Sequence, residues 1–467
     1  MALFSRKPKP APPSITVRAA SVPSPPPDAS SPREQKILAI GGEMLDRARK
    51  HGSGLLSAKF YSDAMMEWSM KDPNFKVQIF RFVDCFPMLK TPEAIFDHLN
   101  DYLSQPGVTV PGTFATLIKA GNLLKGPAAA TVSSQIKGMA SKFIAGTDAA
   151  SALKGLREMW DEGIAFSVDL LGETCVSDAE ADGYGKKYLD LINNLPASVA
   201  GWKGQPRLEN DHLGPVPRVN VSIKISALSA RCDPIDSEGS IRDLMKRLVP
   251  ILETAKAKAV FVNFDMEHHA LKDFTIELFQ RCFERVNFEG GLAMQAYLKS
   301  GVQDAQRMVD WAKRSGKVVT VRLVKGAYWD AETIKAEMHG WPCPVWNSKW
   351  ETDACFERMT NVFLDSTPRV KSAAGSVGGG GIKLALGSHN VRSIAAALAS
   401  LEERRLPREA IEIQMLHGMA DQLKFAASEM GLRIREYVPV GEMIPGMAYL
   451  VRRLLDCLLY TSDAADE

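Results

Sequence analysis

The 467-residue sequence lacks the features that mark several specialised classes of protein. Its formal net charge is only +2, so neither a nucleic-acid-binding tract nor a polybasic membrane patch is indicated. The seven cysteines are odd in number and have no CxxC spacing, which disfavours a disulfide framework or a zinc site and fits reduced thiols. No apolar run approaches the ~20 residues of a membrane-spanning helix. The sequence predicts a cytoplasmic protein, with peripheral membrane contact left open.

The residues that are present divide the chain into segments. Residues 1–31 are rich in proline, serine and alanine, which predicts a disordered arm. Ser31, Pro32 and Glu34 have the spacing of a capping box with proline at the first helical position. Helical periodicity then predicts a helical domain over 32–158.

From 159 to 456 short β-rich runs alternate with helical stretches. Eight such strands predict a (β/α)8 barrel, which is an α/β fold. A doubly wound open sheet is the alternative, but no glycine-rich turn follows the first strand. The predicted strands are 164–171, 219–225, 259–265, 291–297, 318–324, 382–388, 411–416 and 435–440.

Nearly every predicted strand ends in a polar or ionisable residue. In a (β/α)8 barrel the C-terminal ends of the strands face the active site, so this pattern is typical of an enzyme. The residues at these ends are Asp169, Glu173, Lys224, Asp265, Gln295, Arg322, Lys325, Ser388, His389, Gln414 and Tyr437.

Four local motifs are weak evidence for a function when each is taken alone. The run DMEHH (265–269) looks like a metal cluster, but consecutive residues leaving a strand point apart, so no metal site is predicted. The run GSVGGGG (375–381) precedes a strand and not a helix, which favours a flexible loop over a phosphate site. GSHN (387–390) does not have the form of a nucleophile elbow. VRLVKGAYWD (321–330) places a glycine beside basic and aromatic residues, which suits a flat phosphorylated cofactor or a basic loop over an aromatic plug.

The stretch GMAYLVRRLLD (446–456) is an apolar helix that contains two adjacent arginines. Arg452 and Arg453 share one face with Tyr449, opposite the leucines. They form either a solvated rim or a binding site for an anion.

Taken in order, these motifs resemble the proline dehydrogenase domain of the bifunctional proline utilisation A flavoenzymes. The resemblance covers roughly 160–456, and the preceding helices resemble the N-terminal region of that family. No ribbon-helix-helix DNA-binding segment precedes the helices. The matching runs are VSIKISAL, VNFDMEHHALKDFT, MQAYLK, VRLVKGAYWDAE, KWETD, SHN, QMLHGM and AYLVRRLL.

The resemblance implies a barrel that holds FAD non-covalently and oxidises L-proline to Δ1-pyrroline-5-carboxylate. The hydride would pass from proline C5 to flavin N5, and the electrons would go on to a membrane quinone. This is the first step of proline catabolism to glutamate. A peripheral position at the inner face of the membrane and a homo-oligomer stay open.

The resemblance also implies the residues of the site. Asp265 and Arg322 would be catalytic, with Arg322 stabilising negative charge on the reduced flavin. Lys224, Arg452 and Arg453 would bind the substrate carboxylate, and Glu173 would pair with an arginine in the empty site. The walls of the proline pocket would be Leu323, Tyr437 and Tyr449. FAD would contact Met266, Gln295, Val324, Lys325, Gly326, Ala327, Tyr328, Trp329, Ser388, His389, Asn390, Gln414 and Leu416. The base that deprotonates the proline nitrogen is not identified.

The last residues depart from the family pattern. Asp456 stands where a glutamate is expected, and 457–467 resemble translated adaptor sequence, so we expect a non-native tail in place of an aldehyde dehydrogenase domain. Three alternatives follow: a non-flavin barrel enzyme for an anionic substrate, such as a phosphosugar isomerase or aldolase, a binding module without catalysis, or a fragment that folds poorly.

Overall fold

The computed structural model describes residues 31–51, 73–110, 115, 118–119, 125–140, 142–172, 174–369, 379–442 and 446. The predicted arm before Ser31, most of the glycine-rich run before the sixth strand and the predicted tail lie outside these residues. Among the helices that are described, none is both long and apolar enough to cross a membrane.

Eight parallel strands close into a barrel, which confirms the predicted fold. Going round the barrel from β1, the order is β1, β8, β7, β6, β5, β4, β3 and β2, so each strand pairs with its neighbours in sequence and β8 closes on β1. The strands are β1 (Ala165–Leu170), β2 (Asn220–Ile223), β3 (Phe261–Phe264), β4 (Gly290–Gln295), β5 (Val318–Val324), β6 (Gly381–Gly387), β7 (Ile411–Leu416) and β8 (Arg433–Val440).

Helices connect the strands and precede the barrel. Those before β1 are α1 (Pro32–Lys50), α2 (Pro73–Cys85), α3 (Pro92–Leu103), α4 (Lys125–Ala140) and α5 (Ala149–Asp161). Those between the strands are α6 (Asp178–Val199), α7 (Ser237–Ala257), α8 (Lys272–Val286), α9 (Gly301–Ser315), α10 (Trp329–His339), α11 (Lys349–Asp365), α12 (Val391–Glu403) and α13 (Asp421–Glu429). A short antiparallel ribbon pairs Asn210–Asp211 with Gly214–Pro215.

Helix α1 begins where the sequence predicted. The Ser31 side chain accepts a hydrogen bond from the Glu34 amide at 3.2 Å, and Pro32 is the first helical residue. The second half of the predicted capping box is wrong, because the Glu34 carboxylate pairs with Arg392 of α12. This partly buried pair fixes α1 against the outside of the barrel.

Helices α2, α3 and α4 pack over the C-terminal end of the barrel strands. Their hydrophobic cluster includes Phe82, Leu99 and Phe143 from the helical region together with Leu171 after β1 and Met419 after β7. Gly418 lets the two parts approach closely: it has φ +75°, and a Cβ atom there would lie 2.2 Å from the Lys142 carbonyl oxygen. The helical region therefore covers the end where a barrel enzyme holds its active site.

The opposite end of the barrel interior holds a network of buried charges. The Glu412 carboxylate accepts hydrogen bonds from Arg435 at 2.8 and 3.1 Å and lies 2.9 Å from Nε of Arg433. Burial alone would raise the pKa of Glu412, but the two guanidinium groups lower it to about 2. The carboxylate is consequently charged at neutral pH.

We expect Glu412→Gln to lower the free energy of unfolding by about 3 kcal/mol near neutral pH, because two buried guanidinium groups lose their anion. A carboxylate with a lowered pKa stabilises the fold above its unfolded-state pKa. The difference between variant and wild type should therefore shrink as the pH falls from about 4.5 towards 2. Urea unfolding followed by tryptophan fluorescence measures both.

Glu403→Gln is the control, since Glu403 is exposed and its ion pairs with Arg33 and Arg404 lie at the surface. Its effect should stay within about 0.5 kcal/mol. A Glu412→Gln variant as stable as this control would contradict the role given to the buried network.

Candidate active site

Arg322 lies in the barrel interior and connects three other strands with the residue that follows β3. Its Nε donates to Gln414 Oε1 at 2.6 Å, and its Nη1 donates to Asp265 Oδ1 at 2.7 Å. Its Nη2 donates to the hydroxyl groups of Ser222 at 3.0 Å and Ser167 at 3.2 Å. A buried guanidinium group needs this many acceptors, since each unsatisfied N–H is costly without water.

Asp265 follows β3 and is saturated with donors. Besides Arg322, Oδ1 accepts from the Asn263 amide at 3.2 Å, and Oδ2 accepts from the Tyr437 hydroxyl at 2.6 Å. The Tyr437 ring also lies 5.1 Å from the Arg322 guanidinium carbon, in a cation–π arrangement. The structure thus brings together three residues that the sequence predicted for the site.

Lys224, directly after β2, completes the cluster. Its ammonium group forms an ion pair with Asp169, donates to the Tyr437 hydroxyl at 3.3 Å and lies 3.8 Å from Asp265 Oδ2. Burial alone would lower the pKa of Lys224, but Asp169 and Asp265 raise it above its ordinary value. Burial raises the pKa of Asp169 to about 6, with Lys224 opposing the rise and Asp265 adding to it.

A hydrogen-bonded bridge joins the loops after β2, β3 and β4. The Glu267 carboxylate accepts from the Ser226 amide at 3.1 Å and from the Ser226 hydroxyl, and the Glu267 carbonyl accepts from Gln295 Nε2 at 3.2 Å. Ser226 and Glu267 each lie two residues beyond a charged residue of the cluster. Glu267 of the DMEHH run therefore holds the loops, whereas the centre of the His268 ring lies 4.3 Å from that of Tyr328.

The loop after β5 approaches β4 very closely at Gly326. This residue has φ +142°, and a Cβ atom there would lie 2.4 Å from the Tyr297 ring. The preceding Lys325 forms an ion pair with Asp353 of α11, and Trp329 Nε1 donates to the Trp346 carbonyl at 2.7 Å. Glycine is required at this position, because any Cβ atom would overlap the Tyr297 ring.

The loop after β6 is tied to the next strand. His389 Nε2 accepts from the Leu416 amide at 3.0 Å, so the ring carries its proton on Nδ1 if it is neutral. Asn390 caps α12 by accepting from the Ser393 amide at 2.8 Å, and the Ser388 hydroxyl accepts from the Asn390 amide at 3.1 Å. These contacts position the loop at the same end of the barrel as Lys224.

The other predicted residues lie in the main hydrophobic cluster, at the strand ends or outside the described residues. Leu323 alternates with Arg322 along β5 and is buried in the main hydrophobic cluster, so the structure does not bring it to the charged residues. Met266 belongs to the same cluster, while Val324, Ala327 and Leu416 border the strand ends. Glu173, Tyr449, Arg452 and Arg453 lie outside the described residues, as does Asp456.

Several residues of this cluster had no predicted role. Asp169 was noted as a strand end, yet only the structure pairs it with Lys224. Ser167 and Ser222 face Arg322 from β1 and β2. Ser226, which binds Glu267, was not predicted to have a function either. A serine inside a strand carries no signal in a single sequence, whereas the position of Asp169 at a strand end did.

The closed (β/α)8 barrel has ionisable residues that converge at the C-terminal ends of its strands. This arrangement is typical of (β/α)8-barrel enzymes. Comparison with known proteins gives the family. The model of proline dehydrogenase matches residues 152–457, and that of the proline utilization A N-terminal domain matches residues 34–143. The chain belongs to the proline dehydrogenase family.

Individual relatives cover different shares of the chain. Bifunctional protein PutA of Escherichia coli (strain K12) is 30% identical over 329 residues, which are 68% of this chain and 23% of that protein. Proline dehydrogenase 1 of Bacillus subtilis (strain 168) is 25% identical and covers 68% of this chain and 86% of its own length. The chain thus spans less than a quarter of the bifunctional relative.

A solved structure is similar over most of the chain. Proline utilization A from Bdellovibrio bacteriovorus, inactivated by N-propargylglycine, superposes with a TM-score of 0.80 at 37% identity. The match covers 91% of this chain and 42% of that protein. The likeness therefore includes the helical region as well as the barrel.

We expect Arg322→Met to lower the free energy of unfolding by about 3–5 kcal/mol, because Asp265 loses its cation and Gln414 and two serines lose a donor. Asp265→Asn should cost less, and the double variant should be more stable than the sum of the two losses predicts, by about 1–3 kcal/mol. Urea unfolding of the four proteins gives this coupling energy.

Arg404→Met is the matched control, because Arg404 pairs with an exposed Asp365 at 2.8 Å on the surface. Its loss should be at most about 1 kcal/mol. Strictly additive losses for Arg322→Met and Asp265→Asn would show that the buried pair is not coupled.

Proposed function

We propose that the chain is an FAD-dependent dehydrogenase that oxidises L-proline to Δ1-pyrroline-5-carboxylate. The observation that carries the proposal is the cluster of Arg322, Asp265, Tyr437 and Lys224 at the C-terminal ends of the strands, in a chain of the proline dehydrogenase family. The relatives' names support the substrate, since they are called proline dehydrogenase or PutA.

The residues at the mouth of the barrel fit a flavin. Within the described part of the chain, the buried Oε1 atom of Gln295 has no hydrogen-bond partner and so has an acceptor to offer a bound group. Gly326 keeps the loop after β5 free of a side chain, and Lys325 beside it supplies a cation. Tyr328, Trp329, Ser388, His389 and Asn390 would complete the FAD site on the neighbouring loops.

When bound, FAD would supply the acceptor at N5 for the hydride that leaves proline C5. Arg322 offers a fixed positive charge, since its guanidinium group is held on every side by Asp265, Gln414 and two serines. A pre-oriented cation stabilises negative charge as it develops, without having to reorganise. This role explains why an arginine is placed in the barrel interior at all.

Lys224 would bind the substrate carboxylate. Its ammonium group lies near the mouth of the barrel and is kept charged by two aspartates. Arg452 and Arg453 would share this role, as would Glu173 by pairing with an arginine in the empty site. The ring of Tyr437, packed between the two cations, would form one wall of the proline pocket.

The helical region would exclude water from the reaction. Phe143 and its neighbours pack against Leu171 and Met419 beside the strand ends. A closed, apolar surround strengthens the electrostatic interactions inside the site. Electrons would pass from the site to a membrane quinone, so that the chain works in the cytoplasm at or near the inner face of the membrane.

We expect the FAD-loaded chain to reduce a dye acceptor with L-proline and to release a product that reacts with o-aminobenzaldehyde as a pyrroline does. Lys224→Met should raise KM for proline by about 10- to 100-fold with FAD still bound, because one charge-assisted contact to the carboxylate is lost. Steady-state kinetics with the visible flavin spectrum measures both.

Lys246→Met is the control, since Lys246 is an exposed lysine that pairs with Asp243 on α7. It should leave KM unchanged. An FAD-loaded chain that binds proline without reducing any acceptor would instead support the binding-module alternative, and a folded chain that takes up no FAD would support the non-flavin enzyme.

A further inference from the structure

The two aspartates beside Lys224 differ in how many donors they have. Both oxygens of Asp265 accept hydrogen bonds, from Arg322, Asn263 and Tyr437. Asp169 is fully buried, its Oδ1 pairs with the Lys224 ammonium group, and the Tyr437 hydroxyl also interacts with this carboxylate. Within the described residues, Oδ2 of Asp169 has no hydrogen-bond partner. A proton placed on either oxygen of Asp265 would oppose existing donors, whereas a proton placed on Oδ2 of Asp169 would displace no hydrogen bond.

The groups that face Asp169 come from several elements. Lys224 and Asp265 lie beyond the ends of β2 and β3, and Tyr437 lies on β8. The buried Tyr188 of α6 accepts a hydrogen bond from the Lys224 amide at 3.2 Å. Arg322 contributes a further cation through Asp265. The two cations balance the two carboxylates, so the described cluster has no net charge.

A substrate carboxylate would disturb this balance. Lys224 would then face three carboxylates, those of the substrate, Asp169 and Asp265, in a site largely closed to water. Adding an anion beside a buried carboxylate favours the protonated form of that carboxylate. Proline that binds as a zwitterion must also lose a proton from its ammonium nitrogen. The nitrogen has to be neutral before C5 can release a hydride.

We propose that Asp169, acting through Lys224, receives the proton that the proline nitrogen loses. This inference rests on the proposed function. Lys224 Nζ gives a proton to the Asp169 carboxylate, which holds it on the unpartnered Oδ2 after the carboxyl group rotates, and takes one from the proline ammonium group. One N–H bond of the substrate breaks, one O–H bond on Asp169 forms, and Lys224 ends with the charge it had before. Asp169 therefore acts through Lys224: it keeps the lysine charged and stores the proton. Lys224 is the group that contacts the substrate.

The rest of the site agrees with this assignment. Burial raises the pKa of Asp169 to about 6, so the carboxylate is free to accept a proton at neutral pH. Burial and the two aspartates raise the pKa of Tyr437, which makes the tyrosine a poor competitor for the role of base. No other described carboxylate contacts Lys224 without being saturated by donors.

The test uses tetrahydrofuran-2-carboxylate, the analogue of proline with oxygen in place of the ring nitrogen. This anion brings no proton, so its binding must draw one from solvent onto Asp169. For the FAD-loaded wild type, we expect Kd to rise about tenfold per pH unit above about pH 6. Asp169→Asn mimics the protonated aspartic acid, so its Kd should be independent of pH and close to the wild-type value at low pH. Calorimetry at pH 6, 7 and 8 measures both.

The same variant should show the opposite effect on proline. Without an acceptor for the proton, the rate of anaerobic flavin reduction should fall by about 100-fold at pH 7. In the wild type this rate should fall as the pH drops below about 6, because Asp169 is then already protonated. A residue with only a structural role would not strengthen the binding of the analogue while slowing reduction.

Asp304→Asn is the matched control, since Asp304 is another buried aspartate paired with a lysine, Lys272, at 2.7 Å between α8 and α9. It should leave the pH dependence of Kd as in the wild type. A wild-type Kd that is flat from pH 6 to 8, no binding of the analogue at any pH, or a pH dependence that survives in Asp169→Asn would overturn the inference.

These outcomes are separate from failure of the proposed function. If proline bleaches the wild-type flavin and the Kd is flat, only the role of Asp169 is wrong. If proline bleaches no flavin in a chain that binds FAD, the proposed function fails, and the role of Asp169 fails with it.

Discussion

The buried guanidinium group of Arg322 is the constraint on which the rest of the barrel interior depends. A charge at this depth is tolerated only if it is paired and all its donors are used. Asp265, Gln414, Ser222 and Ser167 meet that demand from three other strands and from the residue that follows β3. Gln414 links this cluster to a second one, because its amide donates to Glu412 at 2.7 Å. Glu412 in turn binds the arginines at the opposite end of the barrel. One connected polar network therefore runs through the barrel.

This network accounts for the rigidity that the proposed chemistry needs. The hydrogen bond from Arg322 holds Asp265 in place, and Asp265 accepts a hydrogen bond from the Tyr437 hydroxyl. That hydroxyl in turn accepts one from Lys224. The packing of the helical region against Leu171 and Met419 then closes the end of the barrel where these groups meet. A site so held can exert its charges on a bound substrate without moving, which is the physical basis of electrostatic preorganisation.

Much of the fold was predictable because the signals are local. Each of the eight β-rich runs corresponds to a strand, and the polar residues at their ends do converge, since parallel strands end at the same side of a barrel. Helix α1 starts at Ser31 because serine and proline have local preferences there. Glu34 could not be predicted in the same way, since its partner Arg392 is far away in sequence.

The details of the site depended on contacts that no local pattern encodes. Asp169 and Asp265 look alike in the sequence, and only the structure distinguishes a saturated carboxylate from one with an oxygen to spare. Leu323 was expected at the pocket from the family resemblance, and the structure shows it in the main hydrophobic cluster, so its role stays a prediction. The predicted roles of Glu173, Arg452 and Arg453 stay predictions, because they lie outside the described residues.

The central claim, that this chain transfers a hydride from proline to a flavin, is tested most directly by an anaerobic titration of the FAD-loaded protein with L-proline. We expect the visible flavin band to bleach with a stoichiometry of one proline per flavin, and D-proline to have no effect. A flavin that stays oxidised in excess L-proline, in a protein that is folded and has FAD bound, would contradict the claim.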